Sequence, residues 1–171
     1  MIFLCGLPGC GKSSIGKYVA QLTGSEFIDL DDYVEGIVGK KISRIFEEEG
    51  EASFREYEQD ALIRACEFDD AVVSLGAGAL ESQENLLMAL ASGVLVYLRR
   101  TPAEIAQRDL NWDKRPLMKG ASTTQQIIDR LTVLLERREA DYLKAEIVID
   151  VYPSETPAQT AERIVSELKQ K

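Results

Sequence analysis

Short apolar runs alternate with longer amphipathic stretches along this chain of 171 residues. The apolar runs predict β-strands at 2–5, 26–30, 71–75, 94–98 and 147–149. Apolar residues at helical spacing predict helices at 14–22, 42–49, 51–66, 83–91 and 123–142. Strands that are apolar throughout are typical of a sheet that is covered on both faces. The alternation favours a single α/β domain, 1–171, in which helices flank a parallel sheet.

Local signals mark two further helices and one loop. Pro102 follows Thr101 and predicts a helix that opens there. Thr156, with Pro157 after it and Gln159 at the capping-box position, predicts the start of the last helix. The polar stretch 109–122 has no sustained period, and we interpret it as a mobile loop.

The turn after the first predicted strand carries phosphate-binding chemistry. Residues 6–13 read Gly-Leu-Pro-Gly-Cys-Gly-Lys-Ser and fit GxxxxGK[ST] between a strand and a helix. Glycines let backbone N–H groups point at phosphate oxygens, and the helix N-terminus adds partial positive charge. Lys12 can reach the β- and γ-phosphates, and the Ser13 hydroxyl can bind Mg²⁺. The predicted nucleotide-binding residues of this loop are Gly9, Cys10, Gly11, Lys12, Ser13 and Ser14.

Acidic residues follow the second predicted strand. Asp29 and Asp31 lie where that strand ends, which is where ligands gather in open α/β sheets. A carboxylate there can orient Mg²⁺ or accept a proton from an attacking hydroxyl. The alternative is that an acid caps a helix, a role that suits Asp32 best.

Charge and composition narrow the classes of function. The 20 Lys and Arg residues against 29 Asp and Glu leave a net charge of −9, which disfavours nucleic acid and anionic membranes as partners. The absence of histidine excludes Ser-His-Asp triads and histidine zinc sites. The three cysteines form no CxxC pair, so neither a disulfide framework nor a zinc knuckle is predicted. No apolar run reaches membrane-span length, and we expect a cytoplasmic protein.

Two arginines stand in patterns that allow two interpretations. Arg55 has Glu51 and Glu58 at helical spacing, which by itself indicates a solvated ladder of ion pairs. Arg138 continues an apolar helical stripe that includes Leu134 and Tyr142. A guanidinium on such a face needs an anion, either in a buried ion pair or in a substrate carboxylate.

At these residues the sequence resembles the shikimate kinases, within the P-loop group similar to nucleoside monophosphate kinases. The resemblance runs from Met1 to about Asp150 and rests on several ordered motifs. These are the phosphate loop, the Asp-x-Asp segment at 29–31, Gly-Glu-x-x-Phe-Arg-x-x-Glu at 50–58, the strand end at 74–79, Arg108, Arg115-Pro116-Leu117, and Arg138 with Tyr142. The resemblance implies a strand order of 2-3-1-4-5, a substrate-binding subdomain at about 31–60 and a mobile lid at about 109–122.

The same resemblance implies ATP-dependent phosphorylation of the 3-hydroxyl of shikimate, with ATP and Mg²⁺. We expect the protein to be a monomer. The resemblance assigns Mg²⁺ to Ser13 and Asp29. The implied catalytic residues are Lys12, Asp31 and Arg115, and Arg108 stacks on adenine while Arg115 reaches the transferred phosphate. The implied shikimate-binding residues are Asp31, Arg55, Gly76, Ala77, Gly78 and Arg138.

The sequence departs from the family pattern in a few places and leaves other functions open. Ala77 replaces the middle glycine of the strand-end triple, and Ala140-Asp141 stand where the family has Pro-Leu. The family's Arg-x-Pro motif is not recognisable around 152–156. A gluconate kinase and a nucleotide-binding regulator without kinase activity are the alternatives, and a nucleoside monophosphate kinase is a weaker one.

Overall fold

The strands of the computed structural model form one parallel sheet in the part of the chain that it describes, residues 1–108, 110–112 and 116–170. The five strands in that part are β1 (Ile2–Cys5), β2 (Glu26–Asp29), β3 (Ala71–Ser74), β4 (Val94–Arg99) and β5 (Ile147–Asp150). Their order, β2-β3-β1-β4-β5, confirms the order implied by the resemblance. All four residues of β1 and of β3 are buried, as expected for strands covered on both faces.

Helices cover both faces of this sheet. They are α1 (Lys12–Thr23), α2 (Leu30–Val38), α3 (Ile42–Glu48), α4 (Gly50–Ala65), α5 (Gln83–Ser92), α6 (Pro102–Ala106), α7 (Thr124–Tyr142) and α8 (Pro157–Lys169). The predicted capping box of α8 is present, with Thr156 and Gln159 bonded reciprocally and Pro157 at the first helical position. The proline start of α6 is also confirmed.

The helix α2 differs from the sequence prediction, whose first helix after the second strand begins at Ile42. Asp29, rather than Asp32, is the N-cap of α2, because its side chain accepts a hydrogen bond from the N–H of Asp31. Asp31 and Asp32 lie in the first turn of this helix, where negative charge is favourable. The chain therefore turns directly from β2 into a helix whose start is acidic.

The region predicted as a loop includes a short 3₁₀ turn, Pro116–Met118, with the Met118 side chain buried. Lys119 pairs with Glu47 of α3 at 2.8 Å. Arg115 lies outside the described residues. None of the described helices is long and apolar enough to cross a membrane.

The strand register brings the predicted site to one edge of the sheet. Asp29 pairs with Ser74, and Ser74 pairs with Leu4 of the central strand. The carboxyl ends of β1, β2 and β3 therefore lie side by side, so the segments that follow them line one cleft.

Candidate active site

An open cleft of about 940 Å³ lies along the carboxyl edge of the sheet. It is lined by the phosphate loop, the start of α2, helices α3 and α4, the loop after β3 and the 3₁₀ turn at 116–118. The predicted site residues that line it are Gly9, Gly11, Lys12, Ser13, Ser14, Asp29, Asp31, Arg55, Gly76, Ala77, Gly78, Arg108 and Arg138. Cys10 is buried beneath the loop and borders a neighbouring cavity instead.

The phosphate loop has the backbone conformation that its glycines permit. Gly11, the N-cap of α1, has a φ of 117°, a value that a residue with a side chain rarely adopts. Lys12 is largely buried, and its Nζ donates to the carbonyls of Gly6 at 2.9 Å and Leu7 at 3.1 Å. The ammonium group is therefore held against the loop at the floor of the cleft.

Ser13 and Asp29 form an oxygen-rich pair beside this loop. The Ser13 hydroxyl donates to Oδ2 of Asp29 at 2.5 Å, while Oδ1 of the same carboxylate caps α2. Hydroxyl and carboxylate oxygens are ligands that suit Mg²⁺, which usually completes its shell with water and phosphate oxygens. Among the described residues no cluster of three acidic or thiol groups would hold a metal alone, so this pair suits an ion that arrives with phosphates.

A second cavity of about 460 Å³ adjoins the other side of the phosphate loop. It is bordered by α1, the start of α8, Arg100 and Arg108. An N–H of the Arg108 guanidinium donates to the carbonyl of Gly9, which holds this arginine between the cavity and the main cleft. The position agrees with an arginine on the nucleotide side of the site.

Two guanidinium groups approach the same point at the far end of the cleft. A Cβ placed on Gly78 would lie 2.5 Å from NH2 of Arg55 and 2.9 Å from NH2 of Arg138. Arg138 belongs to the predicted stripe, and Ile127, Leu131, Leu134, Arg138 and Tyr142 are all buried. An anion held beside Gly78 would therefore meet both positive groups.

The surroundings of Arg138 contain a buried ion pair and also leave the side chain facing the cleft. The side chain is 2% exposed, and its Nε donates to Glu81, so a buried ion pair is present. The same side chain lines the cleft, and its NH1 has no hydrogen-bond partner among the described residues. Nε of the guanidinium is therefore paired with a carboxylate, while NH1 is available to a ligand.

Glu58 is a buried carboxylate of the cleft that we did not select from the sequence. It is 1% exposed, and Oε2 accepts a hydrogen bond from Arg55 at 2.8 Å. Its other oxygen has no partner within the described part of the chain and lies close to Gly76. Burial raises the pKa of Glu58 to about 7 and Asp31 adds to this, although Arg55 and Arg138 act in the opposite direction.

Ala77 fits the strand-end loop although it replaces a glycine of the family pattern. No described residue other than glycine has a positive φ, so the backbone at this position does not require glycine. The Ala77 carbonyl accepts a hydrogen bond from the Tyr142 hydroxyl at 2.5 Å. Helix α7 is thereby joined to the loop that carries Gly78.

Sequence reasoning missed two acidic residues for different reasons. Glu58 ends a motif that we identified, but its burial depends on how α4 packs. Glu81 contacts Arg138 from 57 residues away, and no local pattern signals that contact.

Comparison with known proteins gives the family. The shikimate kinase profile matches residues 8–169. The shikimate kinase of Chlorobaculum parvum is 39% identical over 173 residues, which cover 99% of this chain and 92% of that one. A structure of shikimate kinase from Acinetobacter baumannii in complex with shikimate is 31% identical, covers 99% of this chain and 92% of its own, and has a TM-score of 0.89.

Two other solved structures show the difference between sharing the family and sharing only the fold. Shikimate kinase from Bacteroides thetaiotaomicron is 30% identical, with a TM-score of 0.90 and coverage of 98% and 97% of the two chains. A gluconokinase from Sinorhizobium meliloti is 18% identical, with a TM-score of 0.58 over 99% of this chain and 95% of its own, and shares the fold alone. With its cleft, its motifs and these relatives, the chain belongs to the shikimate kinase family.

Proposed function

We propose that this protein transfers the γ-phosphoryl group of ATP to the 3-hydroxyl of shikimate. The observation that supports this substrate is the approach of Arg55 and Arg138 to Gly78, in the same cleft as the phosphate loop. Shikimate is a ring carboxylate with hydroxyl groups, and guanidinium groups bind carboxylates through paired, charge-assisted hydrogen bonds. The carboxylate would settle at the arginines, leaving the ring to extend toward the phosphate loop.

The phosphate loop and its neighbours supply the nucleotide side. Lys12 would exchange its two carbonyl partners for β- and γ-phosphate oxygens, and Arg108 would contact the nucleoside. Ser13 and Asp29 would hold Mg²⁺, which neutralises charge on the β- and γ-phosphates when it is bound.

Asp31 would orient the acceptor. It lines the cleft in the first turn of α2, and its Oδ1 lies near Gly76, as does Oε1 of Glu58. A carboxylate there can accept a hydrogen bond from the attacking hydroxyl and take its proton. Because phosphoryl transfer has a loose transition state, alignment and charge neutralisation provide most of the rate.

Two further segments of the chain would take part in the reaction. Segment 31–60 would form the substrate-binding part, and 109–122 would close as a lid that brings Arg115 to the transferred phosphate and excludes water. We propose a monomer in the cytoplasm, a reducing compartment that suits the three free cysteines.

A coupled assay of ADP release tests the proposal against its alternatives. The substrates are shikimate, quinate, gluconate and nucleoside monophosphates, each with ATP and Mg²⁺. We expect turnover with shikimate to exceed that with every other acceptor. Preference for gluconate would support the gluconate kinase alternative. ATP binding without acceptor-dependent ADP release would support the inactive regulator.

A further inference from the structure

We infer that Glu81 is a positioning residue, which holds the Arg138 guanidinium in the orientation that receives the substrate carboxylate. The inference rests on the proposed function, because it concerns how the substrate anion is bound. Glu81 ends the 3₁₀ turn Ala79–Glu81, which directly follows the loop that carries Gly78. The residue therefore connects the substrate loop to helix α7.

The carboxylate of Glu81 bridges two consecutive arginines. Oε1 accepts from Nε of Arg138, and Oε2 accepts from NH2 of Arg137 at 2.9 Å. The Glu81 side chain is 29% exposed, whereas Arg137 is 62% exposed at the surface and Arg138 is 2% exposed. One anion thus serves a surface cation and a buried cation at the same time.

This bridge occupies only part of the Arg138 guanidinium. Nε is taken by Glu81, while NH1 has no partner in the described part of the chain and NH2 faces Gly78. Since Arg137 shares the negative charge of Glu81, the buried pair is not fully neutralised. Arg138 therefore keeps donors and positive charge for an incoming anion.

Glu81 stays ionised at neutral pH in this position. Partial burial would raise the pKa of its carboxyl, but the hydrogen bond from Arg138 and the charges of Arg138, Arg137 and Arg55 outweigh burial and lower it. A free arginine side chain samples many rotamers, and ordering it upon binding costs entropy. A permanent hydrogen bond at Nε removes much of that cost before the substrate arrives.

Two substitutions separate the reach of the side chain from its charge. Glu81→Asp keeps the charge but shortens the side chain by one methylene, so the contact with Nε is lost. Glu81→Gln keeps the reach and an acceptor oxygen but removes the charge. Glu84→Asp is the matched control, because Glu84 lies three residues further on, is exposed and accepts a hydrogen bond from the Ser82 hydroxyl.

Steady-state kinetics with shikimate and ATP, together with thermal melts, give the first readout. We expect Glu81→Asp to raise the KM for shikimate about tenfold, with kcat within about twofold and the KM for ATP unchanged. Glu81→Gln and Glu84→Asp should stay within about twofold of the wild type in all three constants. An unchanged KM in Glu81→Asp overturns the inference. Impairment of Glu81→Gln together with a normal Glu81→Asp also overturns it, because charge rather than reach would then matter.

The second readout does not depend on activity. In ¹⁵N spectra of the free protein, an Nε–H bonded to a carboxylate should exchange slowly with water. We expect one such signal to be absent from Arg138→Met and Glu81→Asp and present in Glu81→Gln. If the wild type does not phosphorylate shikimate, the proposed function fails while this signal still tests the contact. If the wild type is active and the signal is the same in Glu81→Asp, the positioning role is wrong.

Discussion

At the scale of single residues, the charge of Glu58 changes near neutral pH. Its pKa of about 7 means that the folded protein keeps a proton on Glu58 below that pH and loses it above. When Glu58 is ionised, it competes with a substrate carboxylate for the positive charge of Arg55. A bound carboxylate would in turn raise the pKa of Glu58 further.

We predict that shikimate binds more weakly as the pH rises through about 7 and that binding near that pH takes up protons. Isothermal titration calorimetry in buffers of different ionisation enthalpy measures this uptake. Glu58→Gln should remove both the pH dependence and the uptake. Binding to the wild type without any proton exchange at pH 7 would contradict the assignment.

The raised pKa of Glu58 also makes the stability of the folded protein depend on pH. The unfolded chain loses the Glu58 proton near its ordinary pKa of 4.5, whereas the folded chain holds it to about 7. Between these values the folded state binds more protons, so the contribution of Glu58 to stability falls as the pH rises. Above about pH 7 the contribution becomes constant.

Lys12→Ala tests the cation that we place on the transferred phosphate. The substitution removes the hydrogen bonds that Lys12 donates to the Gly6 and Leu7 carbonyls, and we expect it to leave the core intact. We predict a fall in kcat of about 10²–10³-fold, because the group would act where charge develops. ADP release and circular dichroism measure activity and fold, with Lys144→Ala as an exposed lysine control. Near-normal turnover by folded Lys12→Ala would show that this lysine is not at the phosphate.

At the scale of elements, the loop after β3 lies against both arginines at Gly78. Gly78 has a φ of −105°, which alanine can adopt, so a substitution acts through space rather than backbone strain. Its added methyl group would lie within 3 Å of both guanidinium groups. The preceding Ala77 already carries a methyl group in the same loop.

We predict that Gly78→Ala raises the KM for shikimate at least about tenfold, because both arginines must move. The KM for ATP should not change, since the phosphate loop lies elsewhere in the cleft. Ala77→Gly is the matched control and should leave the KM for shikimate within about twofold. Unimpaired binding of shikimate by Gly78→Ala would place the carboxylate away from this loop.

The elements that sequence patterns predicted well are those with strong local signals. The capping box at Thr156 and the start at Pro102 were correct because the determinants lie within one helical turn. The prediction of a buried stripe on α7 was also correct, including the position of Arg138. Helix α2 was missed because its acidic first turn was interpreted as a ligand site, and Asp29 in fact combines capping with a bond to Ser13.

At the scale of the whole molecule, the strand order assembles residues that are far apart in the chain. The phosphate loop follows β1, the acidic turn follows β2, and Gly78 follows β3, while Arg138 comes from the helix before β5. Each segment could be identified from its own local sequence. Their mutual contacts, such as Glu81 with Arg138, depend on packing between elements and could not be predicted from local patterns.

The stability of the whole domain should report substrate binding through Arg138. A ligand at 100 times its Kd stabilises a two-state domain by about 2.7 kcal/mol, which corresponds to roughly 5–10 °C in Tm at this size. We predict that shikimate raises the Tm of the wild type by that amount and that Arg138→Met loses most of this shift. ADP should stabilise both proteins equally, because the phosphate loop is unchanged.

Without ligand, Arg138→Met should lower the Tm by no more than about 4 °C. Methionine fills most of the volume of the buried side chain, and the partner carboxylate Glu81 keeps Arg137 and partial access to solvent. No buried charge is therefore left without a counterion, which is the usual cause of large losses. Differential scanning fluorimetry with shikimate, with ADP and without ligand measures all three shifts. A much lower Tm for the free variant, together with a normal shikimate shift, would mean that Arg138 stabilises the fold and does not bind the substrate.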